Sequence, residues 1–297
     1  MRHDSGLDGM KKNAIIVGMP RSGTSLTASI FSRQGYHVSG NEAKELQAGD
    51  SHNPFGYFEA KGLIDRNVEL FSAVGYPHDN TWKYFEIDNE QAERLVTLSP
   101  LPGHEEFVKS QYAKSPWMWK DPRLCYTLGY WWQLMRPENT GVLYIRRSEE
   151  EIFESFIRLG WRTRSDAART DVYRRAKRHW DSVEKAIRRH DIPHLAINYE
   201  DYIGDPAKTA GLIGEFFGLE LTQADLNVKP RLNHSSARPT PSILIRHMLV
   251  KLPQFAKIMI GSFVSEERMG KLFPEYNYTM AGRRQRPTTA KRQTDQH

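Results

Sequence analysis

The segment Gly18–Ser25, with the sequence GMPRSGTS, concentrates residue types that bind anions: glycines, hydroxyl side chains and an arginine. It follows an apolar run at 13–17 and precedes a helical pattern, an arrangement in which backbone N–H groups at a helix start can bind phosphate. Its spacing matches the nucleotide loop G-x-x-x-x-G-K-[ST], but Thr24 stands at the lysine position and the cation is Arg21. Because that lysine normally contacts the β- and γ-phosphates of ATP, the segment predicts a site for a shorter anion.

Arg147 and Ser155 form a second candidate anion site. Arg147 follows a predicted strand at 141–146, and Ser155 lies eight residues later, about two turns into the next predicted helix. A guanidinium there can bind a phosphate dianion with two hydrogen bonds. Ser148 and Glu151 have the spacing of a capping box, so we interpret these two residues as the start of the helix.

A third candidate lies in the sequence WKDPR, where Lys120 ends another predicted strand. Strands of an open α/β sheet end at the ligand crevice, so Lys120 is expected to reach the same anion. Asp121 and Pro122 are expected to be the N-cap and first residue of the next helix. Arg123 could assist Lys120 or form a surface salt bridge.

Strand-like apolar runs alternate with helical patterns along the chain, at 13–18, 117–120, 141–146 and 194–198. This alternation predicts an α/β fold with a P-loop-like central parallel sheet flanked by helices in one domain. Apolar residues at three-to-four spacing from Val172 to Ile187 predict a helix, and Gly218 is a predicted helix C-cap. The expected divisions are a flexible N-terminus at 1–12, the α/β domain at 13–240, a helical extension packed on it at 241–280, and a disordered basic tail at 281–297.

The composition is that of an ordinary globular enzyme: 297 residues, 39% hydrophobic and 26% charged, with a net charge of +6. The single cysteine, Cys125, excludes an intrachain disulfide and fits a reducing compartment. With no apolar segment near the N-terminus we expect a cytoplasmic protein without a signal peptide. No nucleic-acid partner is expected. Apolar and basic residues at 241–260 could make a peripheral membrane contact, although packing on the domain is favoured.

Taken in order, these blocks resemble the sulfotransferases that use 3′-phosphoadenosine 5′-phosphosulfate (PAPS). The run PRSGTS resembles their 5′-phosphosulfate loop, KDPR resembles a block of tyrosylprotein and bacterial members, and NPFGYFE at 53–59 resembles a bacterial block. The resemblance implies that Lys120 neutralises charge on the oxygen between phosphate and sulfate, that Arg147 and Ser155 bind the 3′-phosphate, and that Tyr199 lies near adenine. It also implies a 5′-phosphosulfate site made of Arg21, Ser22, Gly23, Thr24 and Ser25.

The catalytic base has three candidates. Glu42 follows Arg21 by the interval that separates the loop arginine and the catalytic glutamate in the tyrosylprotein branch, and it ranks first. Glu59, in the NPFGYFE block, ranks second. His52 ranks third because cytosolic members use a histidine base, although at a different place in the sequence.

The expected function is therefore transfer of a sulfuryl group from PAPS to a hydroxyl of a carbohydrate, lipid-linked or small-molecule acceptor, with release of 3′-phosphoadenosine 5′-phosphate (PAP) and without a metal. The first alternative is a divergent P-loop kinase or phosphotransferase, against which Thr24 argues. The second is a non-catalytic nucleotide or membrane-surface binding module. The acceptor site is expected within 47–82, with aromatic walls formed by Tyr57, Phe58, Tyr76 and Trp82.

Overall fold

The structure, a computed structural model, describes residues 11–38, 56–76 and 87–226. All of these belong to Met1–Ala237, the first of two units into which the chain divides. The expected C-terminal extension and tail, and most of the expected N-terminal segment, lie outside the described residues. These domain boundaries therefore stay predictions.

Five parallel strands form one sheet, which confirms the predicted α/β class. The strands are β1 (Asn13–Val17), β2 (His37–Val38), β3 (Trp117–Lys120), β4 (Thr140–Arg146) and β5 (His194–Asn198), in the spatial order β2-β3-β1-β4-β5. The three central strands are almost fully buried, as expected for a parallel sheet covered on both faces. The sequence did not predict β2, because two residues are too few to show a period.

Helices connect and cover the strands. In the described part of the chain they are α1 (Thr24–Arg33), α2 (Lys61–Ala73), α3 (Asn89–Thr97), α4 (His104–Tyr112), α5 (Leu124–Trp132), α6 (Glu149–Arg158), α7 (Asp166–His190), α8 (Tyr199–Gly204) and α9 (Pro206–Phe217). None of these helices is long and apolar enough to span a membrane. As predicted, α9 ends at Gly218, which has the left-handed conformation (φ 69°) typical of a C-cap.

Side chains of the central strands alternate between two hydrophobic cores. Ile15 and Val17 pack in the core shared with α2, α3, α5, α6 and α7, whereas Ala14 and Ile16 pack with α1, α8 and α9. The predicted apolar face of α7, at Val172–Ile187, is buried in the first of these cores. The sheet is therefore the middle of three layers, and its strand ends are held rigidly.

The strand order reverses around β1, because the chain passes from β1 to β2 and β3 on one side and to β4 and β5 on the other. Such a reversal opens a crevice at the carboxyl ends of the strands. Three of the candidate segments follow β1, β3 and β4, so the topology brings them to the same place.

Candidate active site

The loop after β1 borders this crevice and leads directly into a helix. Arg21 and Gly23 both have positive φ, 74° and 94°, and α1 begins at Thr24 with Gly23 as its N-cap. Ser22 lies before the helix, and its amide closes a turn onto the carbonyl of Met19 at 3.1 Å. The Ser22 hydroxyl is buried and has no hydrogen-bond partner within the described ranges. This combination of a turn, a helix start and an unused hydroxyl suits an anion.

Tyr199, the first residue of α8, closes one side of the loop. Its ring lies so near Gly23 that a Cβ added to the glycine would be 2.3 Å from Cδ2 of Tyr199. The guanidinium of Arg147 also contacts this ring, with its Cζ 4.4 Å from the ring centroid. Burial raises the pKa of the Tyr199 hydroxyl. The tyrosine therefore fixes the loop and Arg147 relative to each other, and its expected place near adenine stays a prediction.

Substitution Gly23→Ala is expected to disrupt this arrangement. The new methyl group would collide with Tyr199, and alanine would have to adopt a left-handed backbone conformation, so we expect a loss of roughly 2 kcal/mol or more in unfolding free energy. Gly35→Ala is the matched control, because Gly35 also has positive φ (83°) but has no atom within 4 Å of the added Cβ. Equal destabilisation by both substitutions in thermal denaturation would contradict the role of the Tyr199 contact.

Two arginines donate hydrogen bonds to Ser155, which is 1% exposed, and a third, Arg147, lies close enough to perturb one of them. The hydroxyl of Ser155 accepts hydrogen bonds from Arg21 Nε at 3.0 Å and from an Arg158 terminal nitrogen at 3.1 Å. Arg147 donates to the main-chain carbonyl of Arg21 at 3.0 Å. Arg21 thus links Arg147 to Ser155, because its carbonyl accepts from Arg147 and its guanidinium donates to Ser155; a shared role of Arg147 and Ser155 in binding an anion stays a prediction.

Arg158 was not among the predicted site residues. It lies three residues after Ser155, on the same face of α6, so helical spacing was the signal that could have identified it. Burial and, after it, the charges of Arg21 and Arg147 lower the pKa of Arg158 to about 10. Neighbouring cations that are close enough to perturb one another make a strong site for an anion.

The capping box expected at the start of α6 is only half formed. The Ser148 hydroxyl accepts from the amide of Glu151, but the amide of Ser148 donates to Glu200 Oε1 at 3.1 Å. The carboxylate of Glu151 instead accepts from Arg147 at 2.8 Å. The prediction was wrong in this half because a residue from α8 takes the capping role and a buried guanidinium attracts the carboxylate.

Lys120 and Glu59 form a buried ion pair at the end of β3. The Nζ–Oε1 distance is 2.5 Å, and the residues are 4% and 5% exposed. Glu59 is aimed inward by a strained segment in which Gly56 and Phe58 have positive φ, 86° and 53°. The pair lines a small cavity of about 30 Å³ together with Pro20, Arg21, Thr24, Ser25, Tyr57 and Pro122. Lys120, Glu59 and the loop therefore meet around one small cavity.

The turn after Lys120 is fixed by buried polar contacts. Asp121 accepts from both the amide and the guanidinium of Arg123 at 2.9 Å, and from Asn67 on α2 at 2.9 Å. Because α5 begins at Leu124, Asp121 is not its N-cap, and Arg123 is buried rather than part of a surface salt bridge. Since α2 follows Glu59 directly, Asn67 holds the two sides of the ion pair together.

The remaining predicted residues divide into two groups. Glu42, His52 and Trp82 lie outside the described residues, so the structure does not place them. Tyr57 lines the cavity, whereas Phe58 packs on one hydrophobic core and Tyr76 packs against Phe71 in the other. Among the described residues, no three His, Cys, Asp or Glu side chains are grouped to hold a metal ion.

Comparison with known proteins identifies the family of the chain. The model of the sulfotransferase family matches residues 14–223, more than two thirds of the chain, and the protein belongs to this family. Two solved structures are similar to it: the sulfotransferase domain of the Synechococcus PCC 7002 olefin synthase (17% identity, 82% of this chain and 86% of that chain, TM-score 0.41) and sulfotransferase STF1 from Mycobacterium tuberculosis H37Rv (15% identity, 76% of each chain, TM-score 0.44). No curated protein matches the chain significantly.

Proposed function

We propose that the protein transfers a sulfuryl group from PAPS to an acceptor hydroxyl and releases PAP. The observation that carries this proposal is the presence of two cationic subsites at one edge of the sheet. One consists of Arg21 and Arg158 on Ser155 with Arg147 close to both, and the other of the loop before α1 with Lys120 beside it. A nucleotide with a phosphate at its 3′ position and a phosphosulfate at its 5′ position carries two separated anions that suit such a pair.

The 5′ subsite would use the backbone N–H groups at the start of α1 and the hydroxyls of Ser22, Thr24 and Ser25. Ser22 supports this assignment because its buried hydroxyl lacks a partner among the residues that the structure describes. The 3′ subsite would use Arg147, Ser155 and Arg158. Arg21 would serve both, since its main chain belongs to the loop and its guanidinium reaches Ser155.

Sulfuryl transfer resembles phosphoryl transfer in its loose transition state, so it requires stabilisation of the leaving group and a base for the acceptor proton. We assign the first role to Lys120, whose ammonium would bind the oxygen that bridges phosphate and sulfate. The second role goes to Glu59, the candidate base that lies within the cavity beside Lys120. Glu42 remains the alternative.

The acceptor is proposed to be a carbohydrate, a lipid-linked glycan or a small molecule whose hydroxyl enters beside Tyr57 and Glu59. The scheme requires no metal, because Lys120 and the arginines supply the positive charge. A reducing location such as the cytoplasm is proposed because the only cysteine is buried Cys125, whose pKa burial raises to about 12.

Calorimetric titration of the purified protein with PAP, 5′-AMP, ADP and ATP, each with and without Mg²⁺, tests the proposal. We expect metal-independent binding of PAP and much weaker binding of 5′-AMP, which lacks the 3′-phosphate. Preference for ATP with Mg²⁺ would replace the proposal with a kinase, and absence of binding by every nucleotide would remove the donor site.

Substitution Arg147→Ala is expected to raise the Kd for PAP by about 10- to 100-fold, the usual effect of losing hydrogen bonds to a charged group. The Kd for 5′-AMP should change little. Arg146→Ala is the matched control: Arg146 ends β4 one residue earlier but is half-exposed, beside Trp180 and Glu184. If both substitutions weaken PAP equally, the 3′-phosphate is bound elsewhere.

A further inference from the structure

The guanidinium of Arg147 has a carboxylate partner within its own chain. One terminal nitrogen donates to the carbonyl of Arg21 at 3.0 Å and the other donates to Glu151 at 2.8 Å, while the ring of Tyr199 lies against the guanidinium. One hydrogen-bonding edge of the arginine that we assign to the 3′-phosphate is thus occupied by an anionic side chain.

Glu151 reaches Arg147 because its carboxylate does not form the capping hydrogen bond that its position in the helix predicts. Its carboxylate would complete the capping box with the amide of Ser148, but Glu200 from α8 accepts that hydrogen bond. The Glu151 side chain is consequently free to turn one helical turn back, to Arg147, which precedes it by four residues. Helices α6 and α8 together therefore direct the carboxylate of Glu151 toward the anion site.

The two partners differ in their freedom to move. The Arg147 side chain is 8% exposed and is held by the Arg21 carbonyl and by Tyr199, whereas the Glu151 side chain is 33% exposed. A phosphate dianion that approached Arg147 would be repelled by the carboxylate. Because Glu151 is about four times as exposed to water as Arg147, the carboxylate is the partner that can leave.

We propose that Glu151 is an internal counter-ion that occupies Arg147 in the empty site, is displaced by the 3′-phosphate, and thereby limits nucleotide affinity and speeds nucleotide release. This inference rests on the proposed function. In the empty site the carboxylate offsets the mutual repulsion of three arginines. The charges of Arg21 and Arg147 lower the pKa of Arg158, and the charge of Glu151 raises it. In the loaded site the phosphate itself supplies that charge.

The variant Glu151→Gln tests the proposal by calorimetry with PAP. The amide keeps the size of the side chain but removes its charge, so PAP is expected to bind roughly tenfold more tightly, the scale of one charge interaction at a partly exposed site, and its dissociation in stopped-flow experiments should slow. The Kd for 5′-AMP should stay constant. The melting temperature should fall without ligand, whereas the increase caused by PAP should become larger.

Glu150→Gln is the matched control, because Glu150 is on the same helix and also pairs with an arginine, Arg169, whose guanidinium lies over Phe153. It removes the same charge, so an equal gain in PAP affinity would show that only net charge matters and would overturn the proposal. Glu151→Gln in an Arg147→Ala background should have no effect on PAP; a gain there would also overturn it.

The direction in which Glu151→Gln changes the Kd for PAP distinguishes a counter-ion from a residue that orients Arg147. If Glu151 merely orients Arg147, Glu151→Gln weakens PAP binding. Weaker binding or an unchanged Kd would overturn the counter-ion role. The proposed function would still be supported by the binding of PAP to the wild-type protein. Failure of the wild-type protein to bind PAP removes both conclusions, and the wild-type titration alone reveals that case.

Discussion

Replacing Lys120 by alanine is expected to lower kcat by about two to four orders of magnitude, the usual range for a group that stabilises developing charge in a transition state. The Kd for PAP should change by less than about threefold, since the arginines around Ser155 and the loop before α1 remain. Initial rates at saturating PAPS, together with calorimetry for PAP, measure the two effects separately. A large loss in kcat with little loss in binding defines an interaction made in the transition state.

The Lys120 substitution has a structural consequence that must be controlled. Glu59 is 5% exposed, so removal of its cationic partner leaves a buried carboxylate without compensation, which can cost about 3–5 kcal/mol of stability. The double variant Lys120→Ala with Glu59→Gln removes both charges and should recover stability without recovering activity. Normal kcat in Lys120→Ala at saturation, combined with poor PAP binding, would contradict the role assigned to Lys120.

Much of the frame could be predicted because its signals are local. The central strands are apolar runs of four to seven residues buried on both faces, and α7 shows a helical period over many turns. Parallel strands bring their carboxyl ends to one edge, so the prediction that Arg21, Lys120 and Arg147 converge followed from their positions at strand ends. Such inferences need no knowledge of individual side-chain contacts.

The parts that failed depend on residues distant in sequence. Glu59 and Lys120 are 61 residues apart, and no spacing rule indicates that they pair. The capping box was predicted from Ser148 and Glu151 alone, yet Glu200, 52 residues from Ser148, changes which hydrogen bonds form. Similarly, Asp121 has a good local pattern for a helix cap, but a buried arginine and Asn67 determine what its carboxylate binds. A local sequence pattern does not decide the hydrogen bonds of a polar group when a residue distant in sequence is available to bond the same group.

The position of Glu59 is compatible with two roles. A carboxylate 2.5 Å from Lys120 could be the catalytic base or only the counter-ion of the lysine. If Glu59 is the base, Glu59→Gln is expected to lower kcat by about 100- to 10,000-fold, since the amide cannot accept the acceptor proton. PAP should bind at least as tightly as in the wild type, because the substitution releases Lys120 from its carboxylate partner.

A series of acceptors with graded hydroxyl acidity distinguishes the two roles of Glu59. A base matters less when the acceptor loses its proton easily, so the loss in Glu59→Gln should shrink as the pKa of the acceptor hydroxyl falls. A counter-ion acts only through the position of Lys120, and its loss should be the same for every acceptor. Glu42→Gln is measured in parallel. If that variant alone shows a loss in kcat that depends on acceptor acidity, Glu42 is the base and Glu59 only positions Lys120 before the donor binds.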